Sequence, residues 1–337
     1  WLRQLGIDCP PEAFTLGKSL LAWDERGSIF QFDPKKFPDT ANTWHAVGSE
    51  AIIKSRDRDE SQPMIWLEGS DGTLAHQVMT RDNGRTLILR EYSSLNPPNE
   101  PVIERSLKLR SPLAGDPIRL GDHLLLPLED GKLYRYTLDL KPAEGGYTWR
   151  SRLAPTSARC YLAALNEVKF IASDGRNGLG MWNWPAKEQF ATPVLLGRGD
   201  GRLKLSERLI GPPLVMPSQN EFRALIPGRG GILTLLEGEK LRVTRTWDLK
   251  GQITTTPFLR DGHLLCIVDE NRLVCIDPTK DIAKWEHATT GEGIVGRPQI
   301  VEDMLIVADR SGRYVGVNPR TGRKFGNGYQ VKATVAP

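Results

Sequence analysis

Few residues of this chain stand at spacings that could do chemistry. Cys266 and Cys275 lie in GHLLCIVDENRLVCID, symmetric about Glu270-Asn271. In a hairpin with a two-residue turn they face each other across neighbouring strands, the placement of a metal clip or a strained disulfide. Free cysteine is also a common small core residue, and the apolar setting favours two buried thiols. Cys9 and Cys160 are far apart, and none of the four cysteines forms the C-x-x-C of a zinc or redox site. The histidines, His45, His76, His123, His263 and His287, show no ligand spacing. His123 and His263 share one setting, GDHLL and DGHLL, which favours a positional role at a turn over metal or general-base chemistry. Gly17-Lys18-Ser19 matches the end of a phosphate-binding loop, but Glu12 stands where the backbone cradle requires glycine. GLGMWN at 178 fails the dinucleotide pattern, and Arg198-Gly199-Asp200 reads as a solvated loop tripeptide. No catalytic, cofactor-binding or metal-ligating set emerges.

The bulk properties narrow the class without naming a function. With 45 basic and 41 acidic residues well mixed along 337, the net charge of +4 does not support nucleic-acid or membrane-surface binding. No apolar run reaches the length of a membrane-spanning helix. The chain begins at Trp1 without Met or an apolar leader, and is expected to be a processed or excised fragment that reaches a membrane only through flanking segments.

The elements that must position any site are counted out by an internal repeat. A short apolar run, a turn rich in Asp and Gly, and a second apolar run recur at LLAWDERGSIFQFD, AHQVMTRDNGRTLILRE, LLLPLEDGKLYRYTLD, VKFIASDGRNGLGMWNW, FRALIPGRGGILTLLE, HLLCIVDENRLVCID and EDMLIVADRSGRYVGVN. With Gly27, Gly84, Gly131, Gly178, Gly231, Asn271 and Gly312 as turn residues, the intervals are 57, 47, 47, 53, 40 and 41 residues, the period of four-stranded propeller blades. The runs are too short and too closely bounded by Gly or Pro for helices, and each pair has the grammar of a hairpin. Pro117, Pro213, Pro257 and Pro298 precede the hairpins, which suits edge strands entering each blade. Trp44, Trp149, Trp247 and Trp285 follow them, on outer strands whose indoles are expected to wedge between blades. Trp182 and Trp184 alternate along one strand and point to a blade interface rather than a ligand platform. The expected fold is all-β, a seven-bladed propeller of four-stranded antiparallel blades forming one domain over 1–337. Its blades fall at roughly 11–50, 51–110, 111–155, 156–200, 207–250, 251–290 and 291–337.

Asp277-Pro278-Thr279-Lys280-Asp281-Ile282-Ala283-Lys284-Trp285 and Asn318-Pro319-Arg320-Thr321-Gly322-Arg323-Lys324-Phe325 resemble the D-P-x-T-G-x-x-x-W signature of quinoprotein-like (PQQ-type) propeller repeats, including outer-membrane assembly lipoproteins of the BamB type. Lys280 and Asp281 stand where Thr and Gly are usual, and Phe325 falls one residue before the expected Trp. Quinoprotein dehydrogenases are similar in this repeat, but their vicinal cysteine pair and eight blades have no counterpart here, so no cofactor is expected. Thr80-Arg81-Asp82-Asn83-Gly84-Arg85-Thr86-Leu87 resembles the Asp-box turn of sialidase-type propellers, where the Asp serves the turn itself.

The resemblance implies a non-catalytic protein-interaction or assembly scaffold, monomeric and periplasmic or otherwise extracytoplasmic, whose partners are other proteins and not nucleic acid. The long connections of the second blade, AIIKSRDRDESQ and SSLNPPNEPVIER, place Arg56, Arg58, Glu60, Pro97 and Pro98 as candidate interaction residues, because loops on a rigid scaffold carry recognition. The alternatives are a propeller hydrolase or lyase with its site at the central channel, and a ligand-sensing domain of a larger signalling protein.

Overall fold

A computed structural model describes residues 14–16, 19–23, 29–32, 65–68, 74–93, 103–185, 190–194, 196, 202–216, 221–260, 262–280, 283–289, 293–301, 304–310 and 313–330. Among them there is no helix, and the apolar runs all form strands. The first sheet holds β1 (Phe14–Leu16), β2 (Ser19–Trp23) and β3 (Ile29–Phe32). The second holds β4 (Ile65–Glu68), β5 (Leu74–Arg81), β6 (Thr86–Ser93) and β7 (Ile103–Lys108), and the third β8 (Ile118–Leu120), β9 (His123–Pro127), β10 (Lys132–Thr137) and β11 (Pro142–Thr148). Next come β12 (Leu162–Ala164), β13 (Lys169–Ser173), β14 (Gly178–Asn183), β15 (Thr192–Val194) and β16 (Leu203–Lys204). The fifth sheet is β17 (Leu214–Met216), β18 (Arg223–Pro227), β19 (Ile232–Glu237) and β20 (Arg242–Asp248). The sixth is β21 (Phe258–Arg260), β22 (His263–Val268), β23 (Arg272–Ile276) and β24 (Ala283–Ala288). The last is β25 (Ile294–Val301), β26 (Met304–Asp309), β27 (Arg313–Val317) and β28 (Lys324–Gln330). Every pairing is antiparallel, and each joins consecutive strands apart from the β14–β16 pair. The expectation of four strands per sheet fails in the fourth, where β15 and β16 pair different stretches of β14 on either side of Gly180.

Two compact units divide the chain, residues 1–146 and 147–337. In the first, the second and third sheets bury Val78, Leu87 and Leu89 against Leu124, Leu126 and Leu128. In the second, the sixth sheet is covered on both faces. Leu264, Cys266, Val268, Val274 and Ile276 pack toward the fifth sheet, and Leu265, Ile267, Leu273 and Cys275 toward the seventh. A strand buried on both faces must be apolar at every position, which is why these segments read as unbroken runs rather than alternating patterns.

Turn chemistry fixes the register. Gly84, Gly131 and Gly231 adopt positive φ as expected. Gly178 does not: it opens β14, and the turn is made by Gly175 at φ +79°. The Asp174 carboxylate accepts from the Arg176 and Gly178 amides at 2.8 and 2.9 Å and holds this turn closed. Asn271 is likewise not the turning residue, since Asp269 and Glu270 carry the positive φ. Gly27 and Gly312 lie outside the described residues. Pro117, Pro213 and Pro257 each directly precede an edge strand, and Pro298 sits in edge strand β25 where its register slips.

Successive sheets are also locked by an indole. Trp247 on β20 donates Nε1–H to the Lys280 carbonyl at 3.0 Å, and Trp285 on β24 donates to the Pro319 carbonyl at 3.0 Å. Each Trp thus lands on the turn between the last two strands of the following sheet. Those turns are built by their first residue, with Asp277 Oδ1 accepting from the Thr279 amide and hydroxyl and Asn318 Oδ1 from the Arg320 and Thr321 amides. Gly322, at φ +70°, explains the glycine of the signature, because a Cβ there would lie 2.7 Å from the Trp285 ring. Phe325 is one residue early in sequence but not in space. It pairs with Gly316 as Trp285 pairs with Cys275, because β28 lacks the bulged residue that Lys284 forms in β24. Trp44 lies outside the described residues, and Trp149 is buried just past β11.

Trp285→Ala is expected to lower stability by about 3–5 kcal/mol and Gly322→Ala by about 1–3 kcal/mol, measured by urea denaturation. Gly322→Ala combined with Trp285→Ala is expected to cost less than the two separate losses added, because the clash partner is gone.

Candidate interaction surface

The residues that could do chemistry mostly have structural work. Cys266 and Cys275 are free and buried, as is Cys160. They do not face each other: Cys266 pairs with Val274 and Cys275 with Leu265. The turn occupies three residues, Asp269 to Asn271, instead of two, and a one-residue change of register sends the thiols to opposite faces of the sheet. A disulfide or a shared metal between them is excluded by that geometry. Burial pushes the Cys275 thiol up to about 11, raises Cys266 further and holds Cys160 well above its ordinary value.

His123 and His263 open β9 and β22, the same place in their sheets, as their shared setting predicted. His263 Nε2 lies 2.8 Å from Lys284 Nζ. Burial lowers the pKa of His123 and His287, and His76 is enclosed between strands. No group of three His, Cys, Asp or Glu among the described residues is placed to hold a metal ion. GLGMWN forms strand β14, which removes the dinucleotide reading, and Ser19 simply begins β2. Asp82 accepts from the Thr86 hydroxyl at 2.6 Å, so the Asp-box-like segment is architectural. Trp182 and Trp184 are buried, Trp182 against Tyr147 and Trp184 near Phe170. Arg56, Arg58, Glu60, Pro97, Pro98, His45, Cys9 and Arg198-Gly199-Asp200 lie outside the described residues.

The surface that stands out is the connection from β11 to β12. Its ends are pinned. Trp149 is buried with the Arg150 guanidinium over its ring at 5.6 Å, and Cys160 is sealed at the other end. Between them the Ser151 amide donates to the Asp174 carbonyl at 3.0 Å, and Ala154 and Ala158 donate back to Ser151 and Pro155 in two tight turns. The Arg150 side chain ties the segment again through the Thr156 carbonyl at 3.0 Å. Underneath lies Gly175, where a Cβ would meet Ala158, Trp149 and Ala154 within 3.4 Å. On this clamped base Leu153 stands 76% exposed, the most exposed large apolar side chain among the described residues, with Arg152, Pro155, Thr156 and Arg159 exposed around it. Arg150 and Arg176 are part-exposed beside them. The nearby Asp174 carboxylate is occupied by turn amides and by Arg202 at 3.5 Å. The backbone of this connection is held in place before any contact, so little loop ordering would be needed for another surface to meet its apolar crest and basic rim. The sequence reading missed it. The available signal was a lone leucine in RSRLAPTSAR, a polar connection with no pattern that would bury it.

The comparisons with known proteins agree with the fold. A family model described as outer membrane protein assembly factor BamB matches residues 136–333. The crystal structure of BamB from Moraxella catarrhalis superposes with a TM-score of 0.58 at 13% identity, covering 96% of this chain and 88% of that one. The C-terminal WD40 domain of Sif2 superposes with a TM-score of 0.58 at 10% identity, covering 93% and 82%. No curated protein sequence matches the chain significantly. At these identities the structural likeness establishes an all-β fold of small antiparallel sheets of the β-propeller kind.

Thiol chemistry checks the core geometry. Cys160, Cys266 and Cys275 are expected to resist Ellman's reagent in the native protein at mildly alkaline pH and to react within minutes in denaturant. A Cys266–Cys275 cross-link is expected to be absent from peptide maps of oxidised native protein.

Proposed function

The chain belongs to the outer membrane protein assembly factor BamB family, and from that premise we propose that it is a non-catalytic scaffold for protein assembly, folded as one seven-bladed propeller and working in the periplasm or another extracytoplasmic compartment. The family description supports the assembly role. The observation that carries the binding reading is Leu153, held out to solvent on a connection clamped by Trp149, Arg150, Ser151 and Gly175. Leaving a leucine this exposed gains nothing in folding, whereas burying it in a complex contributes about 1.5–3 kcal/mol. The surrounding Arg152 and Arg159 fit a partner with an apolar pocket rimmed by carboxylates, and they would speed encounter more than they tighten the complex.

Replacing Leu153 with a photo-reactive phenylalanine analogue is expected to cross-link one defined partner in cells, whereas the same probe at exposed Val243 gives no such adduct. With that partner purified, Leu153→Glu is expected to weaken binding about 10–100-fold with an unchanged melting temperature. Full affinity in Leu153→Glu would remove this surface from the account.

A further inference from the structure

The interface between the second and third sheets is apolar along most of its depth, but at one end it turns ionic. On β5, His76 and Val78 share a face, as do Leu89 and Glu91 on β6 and Arg105 and Leu107 on β7, because alternate residues point the same way. Val78, Leu89 and Leu107 enter the apolar cluster against the third sheet. His76, Glu91 and Arg105 continue the same three rows toward the end of the strands away from the β5–β6 turn. The third sheet meets them there with Arg119 on β8 and Asp139 in the β10–β11 turn. His76 is 2% exposed and sits directly opposite Glu91, its Nε2 3.5 Å from Glu91 Oε2. The same carboxylate oxygen lies 3.7 Å from Arg105 Nη1, and Arg105 Nη2 crosses to Asp139 at 2.8 Å. Arg119 is held by the Gly121 carbonyl at 2.9 Å and lies 3.9 Å from the exposed Asp122.

We propose that this layer is an acid-sensitive joint: protonation of His76 releases the second sheet from the third at the end where Arg105 meets Asp139. With His76 neutral, the two carboxylates Glu91 and Asp139 face the two guanidinium groups of Arg105 and Arg119, and the layer is balanced. One added proton gives it a net positive charge, placed on a side chain that is 2% exposed. It also turns Nδ1, which has no hydrogen-bond partner among the described residues, into a buried N–H donor without an acceptor among them. Burial is the main influence on His76 and holds its pKa below the ordinary value, Arg119 and Arg105 push the same way, and Glu91 opposes them. The sign follows from that direction. A histidine depressed in the folded state stabilises the joint fully above its unfolded pKa, and that contribution is lost as pH falls through the folded value.

The experiment is hydrogen exchange on the full chain, corrected for intrinsic rates, from about pH 7.5 down to about pH 5, paired with NMR titration of the His76 ring. Protection in β5–β8 is expected to fall about tenfold on acidification, with β21–β24 unchanged, and the fall is expected to begin near the ordinary histidine value and to level off at the His76 titration. His76→Gln, which stays neutral and keeps an N–H toward Glu91, is expected to abolish the acid response. An acid response that survives in His76→Gln overturns the proposal. So does a loss of β5–β8 protection that levels off at a pH other than that of the His76 titration in the wild-type protein, a reading that stands even if the variant folds poorly. The joint is independent of the Leu153 surface, and Leu153→Glu is expected to leave its pH profile unchanged.

Discussion

The fifth and sixth sheets are apolar on both faces, and that constraint governs the unit they belong to. Such a sheet cannot stand alone in water, because half of its apolar surface would remain exposed whichever partner it found first. Leu264 and Leu265, adjacent on β22, already belong to different inter-sheet clusters. The sheets must therefore stack in series, each contributing one layer to two interfaces. The indole docks add direction to this stacking. Trp247 and Trp285 each reach forward to a backbone carbonyl in the next turn, so that the D-P-x-T-G signature is the receptor for the preceding Trp. Gly322 is small because an indole lies on it.

A scaffold organised in this way leaves few places for function. The strands are consumed by packing and the hairpin turns by their own side-chain oxygens: the Asp82, Asp174 and Asp277 carboxylates and the Asn318 carboxamide all accept hydrogen bonds from within their turns. What remains free to vary is the connection between sheets. The β11–β12 connection spends most of its residues on anchoring itself and presents Leu153 and its arginines outward.

The repeat and the strand content were legible in the sequence because doubly buried strands give uninterrupted apolar runs, and the runs recur. The signature turns at Asp277 and Asn318 were legible for a similar reason: Asx-turn chemistry needs its residues in order along the chain. Register was less accessible. Whether the turn after Val268 held two residues or three could not be read from DENR, yet it decided that Cys266 and Cys275 point apart. The repeat pointed to Gly178 as the turning residue, but the reach of the Asp174 carboxylate to the Gly178 amide places the positive φ at Gly175. Leu153 and the His76 layer escaped because both depend on which neighbour arrives in space. A leucine left outside and a histidine sealed inside look alike in a sequence.

The central claim is that stacked, doubly buried sheets depend on one another. Native-state hydrogen exchange at increasing urea tests it most directly, following the amides of β18–β19, β22–β23 and β26–β27 together. The account predicts that their opening free energies converge on one common value as denaturant rises, because no sheet can leave without exposing a face of the next. Separate plateaus, with the sixth sheet staying protected after the seventh has opened, would contradict it.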